Sequence, residues 1–315
     1  MTTFRLRSAP PGRLVRLGVV LDPRHAFARL RHLAVMCDRA GVDAVWVHDH
    51  EPGGEVSRLD TLTALTLAAG ETSRLRVGAI VDPARRTLAQ LIASAIAIDL
   101  ASGGRFELGF TGRDPAGADP AGADLAGAAA QLPIAATRAA LEPRSPQPGG
   151  PPIAVEALAP AYTALAIASA DDVILPRGPR DRMMAALADV RAAGVAAARD
   201  PATLGVAVVI PVSVGRTSAE ARGRAHGDPG FDALGEAGGN AIVGSLEECQ
   251  RHVLALAHAG VTDLRCLLPA APDVEDVVAQ LTAMVVGSTA RLAAGAPPSP
   301  APPPPPGWGG RSRGP

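Results

Sequence analysis

Lysine is absent from this 315-residue chain, and all 30 basic residues are arginine. With no side-chain amine to form an imine, Schiff-base and pyridoxal-phosphate chemistry are excluded, and so is the P-loop, whose lysine meets the phosphates. Aromatic residues are also scarce: two Trp, one Tyr and five Phe are too few to build a platform on which successive bases stack. The formal net charge is only -1, so no global field selects a polyanion, and a nucleic-acid partner is not expected. Cys37, Cys249 and Cys266 stand far apart without framework spacing and read as small buried apolar residues in a reducing compartment. The opening MTTFRLRSAPPG lacks the apolar core of a secretory signal, and no apolar run approaches the length of a membrane span. The expectation is a cytoplasmic protein with no membrane partner.

Apolar material, by contrast, is plentiful. Hydrophobic residues make up 47% of the chain and mean hydropathy is +0.17, enough for a large core. The length suits an eight-stranded α/β barrel, which uses about 250 residues as one unit. The organising stretch is Gly41 to His50, GVDAVWVHDH. Ala44, Val45, Trp46 and Val47 run without alternation, as in a parallel strand covered on both faces. His48, Asp49 and His50 then fall at its C-terminal edge, where such sheets and barrels hold ligands.

Residues 15–21 predict a first strand. Phe27, Leu30, Leu33, Ala34 and Cys37 share one helical face, and Gly41 ends that helix where a positive φ is wanted. Asp60 precedes a helix at 61–71, residues 74–81 predict a third strand, a long helix spans 84–101, and 105–110 predict a fourth strand. Residues 111–150 lose this periodicity in DPAGADPAGADLAGAAA and PRSPQPGG, with one short helix at 132–141. Strands follow at 151–158, 171–176 and 204–214, helices open at Pro160 and Arg180, and 226–240 is loop-like. Ser245 and Glu248 form a capping box that opens a helix ending at Gly260; residues 262–269 predict the eighth strand and 274–293 the last helix. Eight β-α units point to a single (β/α)8 TIM barrel over 1–294 with shortened insertion segments. The Pro/Gly-rich residues 295–315 bury too little apolar surface to order and read as a disordered tail.

Four stretches together resemble the luciferase-like monooxygenase superfamily of flavin- and coenzyme F420-dependent oxidoreductases: AGVDAVWVHDH, SRLRVGAIVDPARR, IDLASGGRFELGF and GSLEECQRHVLALAHAGVTDLRCLLP. The resemblance implies a barrel that binds FMN or coenzyme F420 at its C-terminal mouth. Luciferase-like members tend to end the second strand in Glu-His-His and many deazaflavin-dependent members in Asp-His. Asp49-His50 therefore favours coenzyme F420, with FMN the alternative. On this reading His50 is the catalytic acid or base, since an imidazole titrates near neutral pH and hydride transfer needs a partner proton; Asp49 orients it or meets the cofactor ring. His48 is assigned to structure. A metal site is rejected, because His-x-His at a barrel strand end needs further ligands and the later strand ends offer no histidine.

The resemblance also implies a non-prolyl cis peptide forming a bulge behind the cofactor ring near Ala79, Ile80 and Val81, although an ordinary buried strand fits the same residues. Thr111 and Gly112 stand where relatives contact the cofactor through small residues. Ala157, Leu158 and Ala159 stand where several relatives carry glycines against a phosphate tail. Arg177, Gly178 and Arg180 suit an anionic tail, and a solvated helix start accounts for them equally. The expected substrate is a small molecule or modified peptide, and Ala-rich helix surfaces suit a homodimer. Two other functions stay open: an FMN-dependent monooxygenase, and a cofactor-binding or dimer-partner paralogue with little catalysis.

Overall fold

The computed structural model describes residues 13–21, 27–49, 60–111, 132–200, 203–226, 228, 231, 240–269 and 274–293. The low-complexity stretch at 112–131, most of the 226–240 loop and the 295–315 tail lie outside the described residues.

Strands β1 (Arg16–Val20), β2 (Ala44–His48), β3 (Arg76–Val81), β4 (Phe106–Phe110), β5 (Ile153–Glu156), β6 (Asp172–Ile174), β7 (Gly205–Gly215) and β9 (Asp263–Leu267) pair in parallel, each with the next. The ring closes because β7 also pairs with β9, and β9 with β1, in register Gly18↔Arg265. This is the expected eight-stranded TIM barrel. All eight expected strands appear, each within a few residues of its predicted ends. A further short strand, β8 (Ile242–Ser245), pairs with the part of β7 that overhangs the barrel, in register Val212↔Ile242.

Helices α1 (Phe27–Ala40), α2 (Thr61–Glu71), α3 (Leu88–Ala101), α4 (Ile134–Leu141), α5 (Pro160–Ser169), α6 (Arg180–Ala196), α7 (Ser218–Ala225), α8 (Leu246–His258) and α9 (Val274–Ala293) make up the described helical layer. Their ends follow local chemistry. The Asp60 side chain accepts from the amides of Leu62 and Thr63, and Ser245 and Glu248 complete a reciprocal capping box. Gly41 adopts φ +76°, the turn that sends the chain from α1 into β2. No described helix is long and apolar enough to cross a membrane.

Alternation along each strand sorts the core into two parts. Val45, Val47, Ala79, Val81, Leu108 and Phe110 pack outward with the helices, whereas Val20, Ala44, Trp46, Ile80, Ala154, Ile174, Ala207 and Val209 fill the barrel. The Trp46 indole lies across the interior, and Gly78 on the neighbouring strand has no room for anything larger: a Cβ there would lie 2.3 Å from a ring carbon. The Arg265 guanidinium is stacked on the indole, 3.4 Å from the ring centroid. Toward the N-terminal end the barrel is plugged by buried ion pairs. Arg16 meets Glu107 at 3.0 Å and Asp263 at 3.7 Å, Arg76 also meets Glu107, and Asp263 accepts from Arg265 Nε at 3.2 Å.

Candidate functional site

The opposite, C-terminal end holds the polar residues that follow the strands. His48 is the last residue of β2, two residues beyond Trp46, so the period of two turns it into the barrel. Arg177 follows β6, which lies half-way round the ring from β2. Its side chain reaches across the mouth and its Nη2 lies 2.9 Å from His48 Nδ1. Burial first, and then the charges of Arg177 and Arg265, hold the His48 imidazole well below its ordinary titration range, so the ring is neutral. An arginine only donates, so Nδ1 accepts and the ring proton sits on Nε2. That Nε2 is buried without a partner among the described residues.

Asp49 closes the same strand end in a different way. Its carboxylate accepts from the backbone amide of Asp82 at 3.0 Å and from both terminal nitrogens of Arg86, one of them at 2.8 Å. Arg86 also pairs with Asp60, and Arg85 donates to the Asp49 carbonyl. These contacts staple the end of β2 to the segment after β3. His50, the residue assigned the proton-transfer role, lies outside the described residues, as does Gly112.

Beside this staple is a cavity of about 280 Å³ lined by Asp82, Arg86, Thr111 and Tyr162 with Leu88, Leu91 and Leu132. Thr111, at the end of β4, donates through Oγ1 to Glu156 Oε2 at 2.6 Å, joining the cavity wall to the end of β5. The Tyr162 hydroxyl is buried without a partner among the described residues, and burial with the nearby Asp82 carboxylate raises its titration so that it stays a donor. Tyr162 belongs to the first turn of α5, whose start carries no side-chain cap.

The other sequence-predicted residues sort by strand geometry. Ile80 faces the barrel, but Ala79 and Val81 point to the opposite face and pack under the helices. The expected cis peptide is absent: among the described residues no peptide bond is cis. The reason is pairing, since β3 stays in register with β2 up to Ile80 and with β4 up to Val81. The carbonyls of Ile80 and Val81 accept from the amides of Asp49 and Thr111, which leaves no bulge. Ala157, Leu158 and Ala159 pack against the outer core where β5 turns into α5. Gly178 takes φ +127° beside Arg177. Arg180 acts on His252 of α8, which burial and then Arg180 and Arg251 hold below its ordinary range, and it is not among the charges felt by His48. Of the predicted residues the structure therefore gathers Asp49, Ile80, Thr111 and Arg177 around the mouth. Sequence reasoning missed Glu156, Arg86 and Tyr162 as site residues and set His48 aside. The signal for His48 and Glu156 was their two-residue spacing from Trp46 and Ala154.

A closed ring of eight parallel strands alternating with helices defines the class: a TIM-barrel protein, a fold whose ligand sites lie at the C-terminal strand ends. Within that class, residues 14–142 match the family model for luciferase-like monooxygenases, in agreement with the resemblance carried by the sequence. No curated protein matches the chain. Among solved structures it is similar to the coenzyme F420-dependent tetrahydromethanopterin reductase of Methanopyrus kandleri, at 18% identity over 87% of this chain and 99% of that one, with a TM-score of 0.68. A monooxygenase from Streptomyces bottropensis is 20% identical over 89% and 100% of the two chains, with a TM-score of 0.71. The oxygenating constituent of 3,6-diketocamphane monooxygenase from Pseudomonas putida, in complex with FMN, is 15% identical over 87% and 98%, with a TM-score of 0.63. At these identities the likeness is one of fold.

A flavin or deazaflavin presents a flat ring with a carbonyl-bearing edge and a polar tail that ends in anionic groups. Two donors found here fit those parts: His48 Nε2 at the end of β2, and the Tyr162 hydroxyl in the cavity, whose Arg86 is already engaged by Asp49 and Asp60.

Proposed function

We propose that this protein is an oxidoreductase that binds coenzyme F420 at the barrel mouth and acts on a small organic or modified-peptide substrate, with FMN as the rival cofactor. The observation that carries this reading is the junction of two things: Asp49 at the end of β2, held in place by Arg86, and the cavity beside it with its buried Tyr162 donor. When bound, the cofactor supplies a hydride acceptor or donor. The chain's own residues supply the rest. The Tyr162 hydroxyl donates to the polar tail, while Leu88, Leu91 and Leu132 keep that wall apolar. Arg86 fixes Asp49 at the end of β2. An imidazole nitrogen of His50 gives or takes the proton that accompanies hydride transfer at the substrate.

Adding coenzyme F420 and FMN separately to the purified protein and following absorbance and fluorescence tests the reading. The expected result is a spectral change with F420 and a weaker one, or none, with FMN. The reverse order assigns the chain to FMN chemistry. Replacement His50→Ala is expected to lower turnover by about 10²–10⁴-fold, the usual contribution of a positioned acid or base, while the spectral change on cofactor binding persists. Unchanged turnover removes His50 from the mechanism.

A further inference from the structure

The buried imidazole of His48 has one nitrogen committed and one waiting. Nδ1 is taken by Arg177 Nη2 at 2.9 Å, a contact that fixes the tautomer because arginine has no acceptor. Nε2 therefore carries hydrogen, and it is buried at the floor of the mouth without an acceptor among the described residues. A buried donor left unpaired costs about 1–3 kcal/mol, so such groups in folded proteins nearly always meet an acceptor. Neighbouring acceptors are engaged elsewhere: Asp49 with Arg86 and the Asp82 amide, Glu156 with Thr111. Two fixed positive charges, Arg177 and Arg265, act on the ring, so the acceptor best suited to this place carries partial or full negative charge.

We infer that His48 is a cofactor-positioning residue whose Nε2–H donates to a carbonyl oxygen on the pyrimidine-like edge of the (deaza)flavin ring, with Arg177 setting the tautomer that makes the donation possible. The assignment rests on the proposed function, which supplies the ring. It gives the mouth an orientation: the carbonyl-bearing edge lies over the end of β2, toward Arg177, and the tail runs to the cavity at Tyr162. It also turns a residue that the sequence placed in the structural background into one that chooses how the ring sits.

Two measurements test it. Selective ¹⁵N labelling of the seven histidines, with His48 assigned through a His48→Gln variant, reads the tautomer in the cofactor-free protein. The expected signal is a neutral ring protonated at Nε2, and an Nδ1–H tautomer overturns the assignment. Binding of F420 or FMN, whichever alters the spectrum of the unmodified protein, is then compared across variants. His48→Asn keeps an acceptor near the Nδ1 position for Arg177 but cannot reach as far as Nε2, whereas the longer His48→Gln restores a donor there. The dissociation constant is expected to rise about tenfold in His48→Asn and to recover to within a few-fold in His48→Gln, with a shift of the His48 Nε2 resonance on titration. If His48→Asn binds as tightly as the unmodified protein and the resonance does not move, the acceptor is water and the positioning role falls while the proposed function stands. If neither cofactor alters the unmodified protein's spectrum, both fall together.

Discussion

His48 shows how far a single residue can be read from sequence and where reading stops. It ends an apolar run, AVWVH, in which burial on both faces erases the alternation that would say which side chains point inward. Only the pairing of Ala44, Trp46 and Ile80 inside the barrel reveals its direction. Its environment also makes a stability prediction. The imidazole is held neutral in the folded protein by burial and by Arg177 and Arg265, while an unfolded chain protonates it near the ordinary value of 6.5. Below that pH the unfolded state binds the extra proton, so this contribution to stability is complete above about pH 6.5 and is lost as pH falls. Chemical denaturation of the unmodified protein and of His48→Gln from pH 7.5 to 5.5 should show the unmodified protein losing up to about 1.4 kcal/mol per pH unit more than the variant. Parallel curves would show that the folded ring titrates normally.

At the scale of elements the sequence was most legible where a cap or a breaker stands at each end. Asp60, Pro160 and Ser245 open α2, α5 and α8 where expected, and Gly41 closes α1. Two features were not read. The expected helix over 84–101 is broken: Pro83–Arg85 form a short 3₁₀ turn, and α3 starts only after Thr87, whose side chain and Gln90 make a capping box. That break is what turns Arg86 back to Asp49 and helps shape the cavity wall. Strand β8 went unseen because Ile242–Ser245 offers two apolar residues beside a glycine, too little for a periodic signal, and forms by pairing with the overhang of β7. The β2–β3 contact inside the barrel is close, and it carries a prediction. In Gly78→Ala the new methyl would collide with the rigid Trp46 ring, so a loss of about 1–3 kcal/mol is expected, and the additional change Trp46→Leu should recover part of it. Calorimetric melting of the single and double variants checks this; an unchanged melting temperature in Gly78→Ala would mean that the indole lies elsewhere.

Across the whole molecule the two ends of the barrel divide the labour. The N-terminal end is closed by Arg16, Arg76, Glu107 and Asp263, which meet in a network of ion pairs. At the C-terminal end two donors, His48 Nε2 and the Tyr162 hydroxyl, have no partner among the described residues. Removing one charge from the closed end should cost stability alone. Glu107→Gln leaves Arg16 and Arg76 without their shared carboxylate, and a loss of about 3–5 kcal/mol is expected in urea unfolding, with cofactor affinity of the folded protein unaltered. An affinity change without a stability change would reverse the roles given to the two ends.

A crystal structure of the protein grown with coenzyme F420 bears most directly on the mouth as a redox site. The ring should lie over the C-terminal ends of the strands with a carbonyl within hydrogen-bonding distance of His48 Nε2 and the tail near Tyr162. Clear density for the cofactor outside the mouth, or a mouth filled by the chain's own residues while the cofactor is absent at saturating concentration, would contradict it.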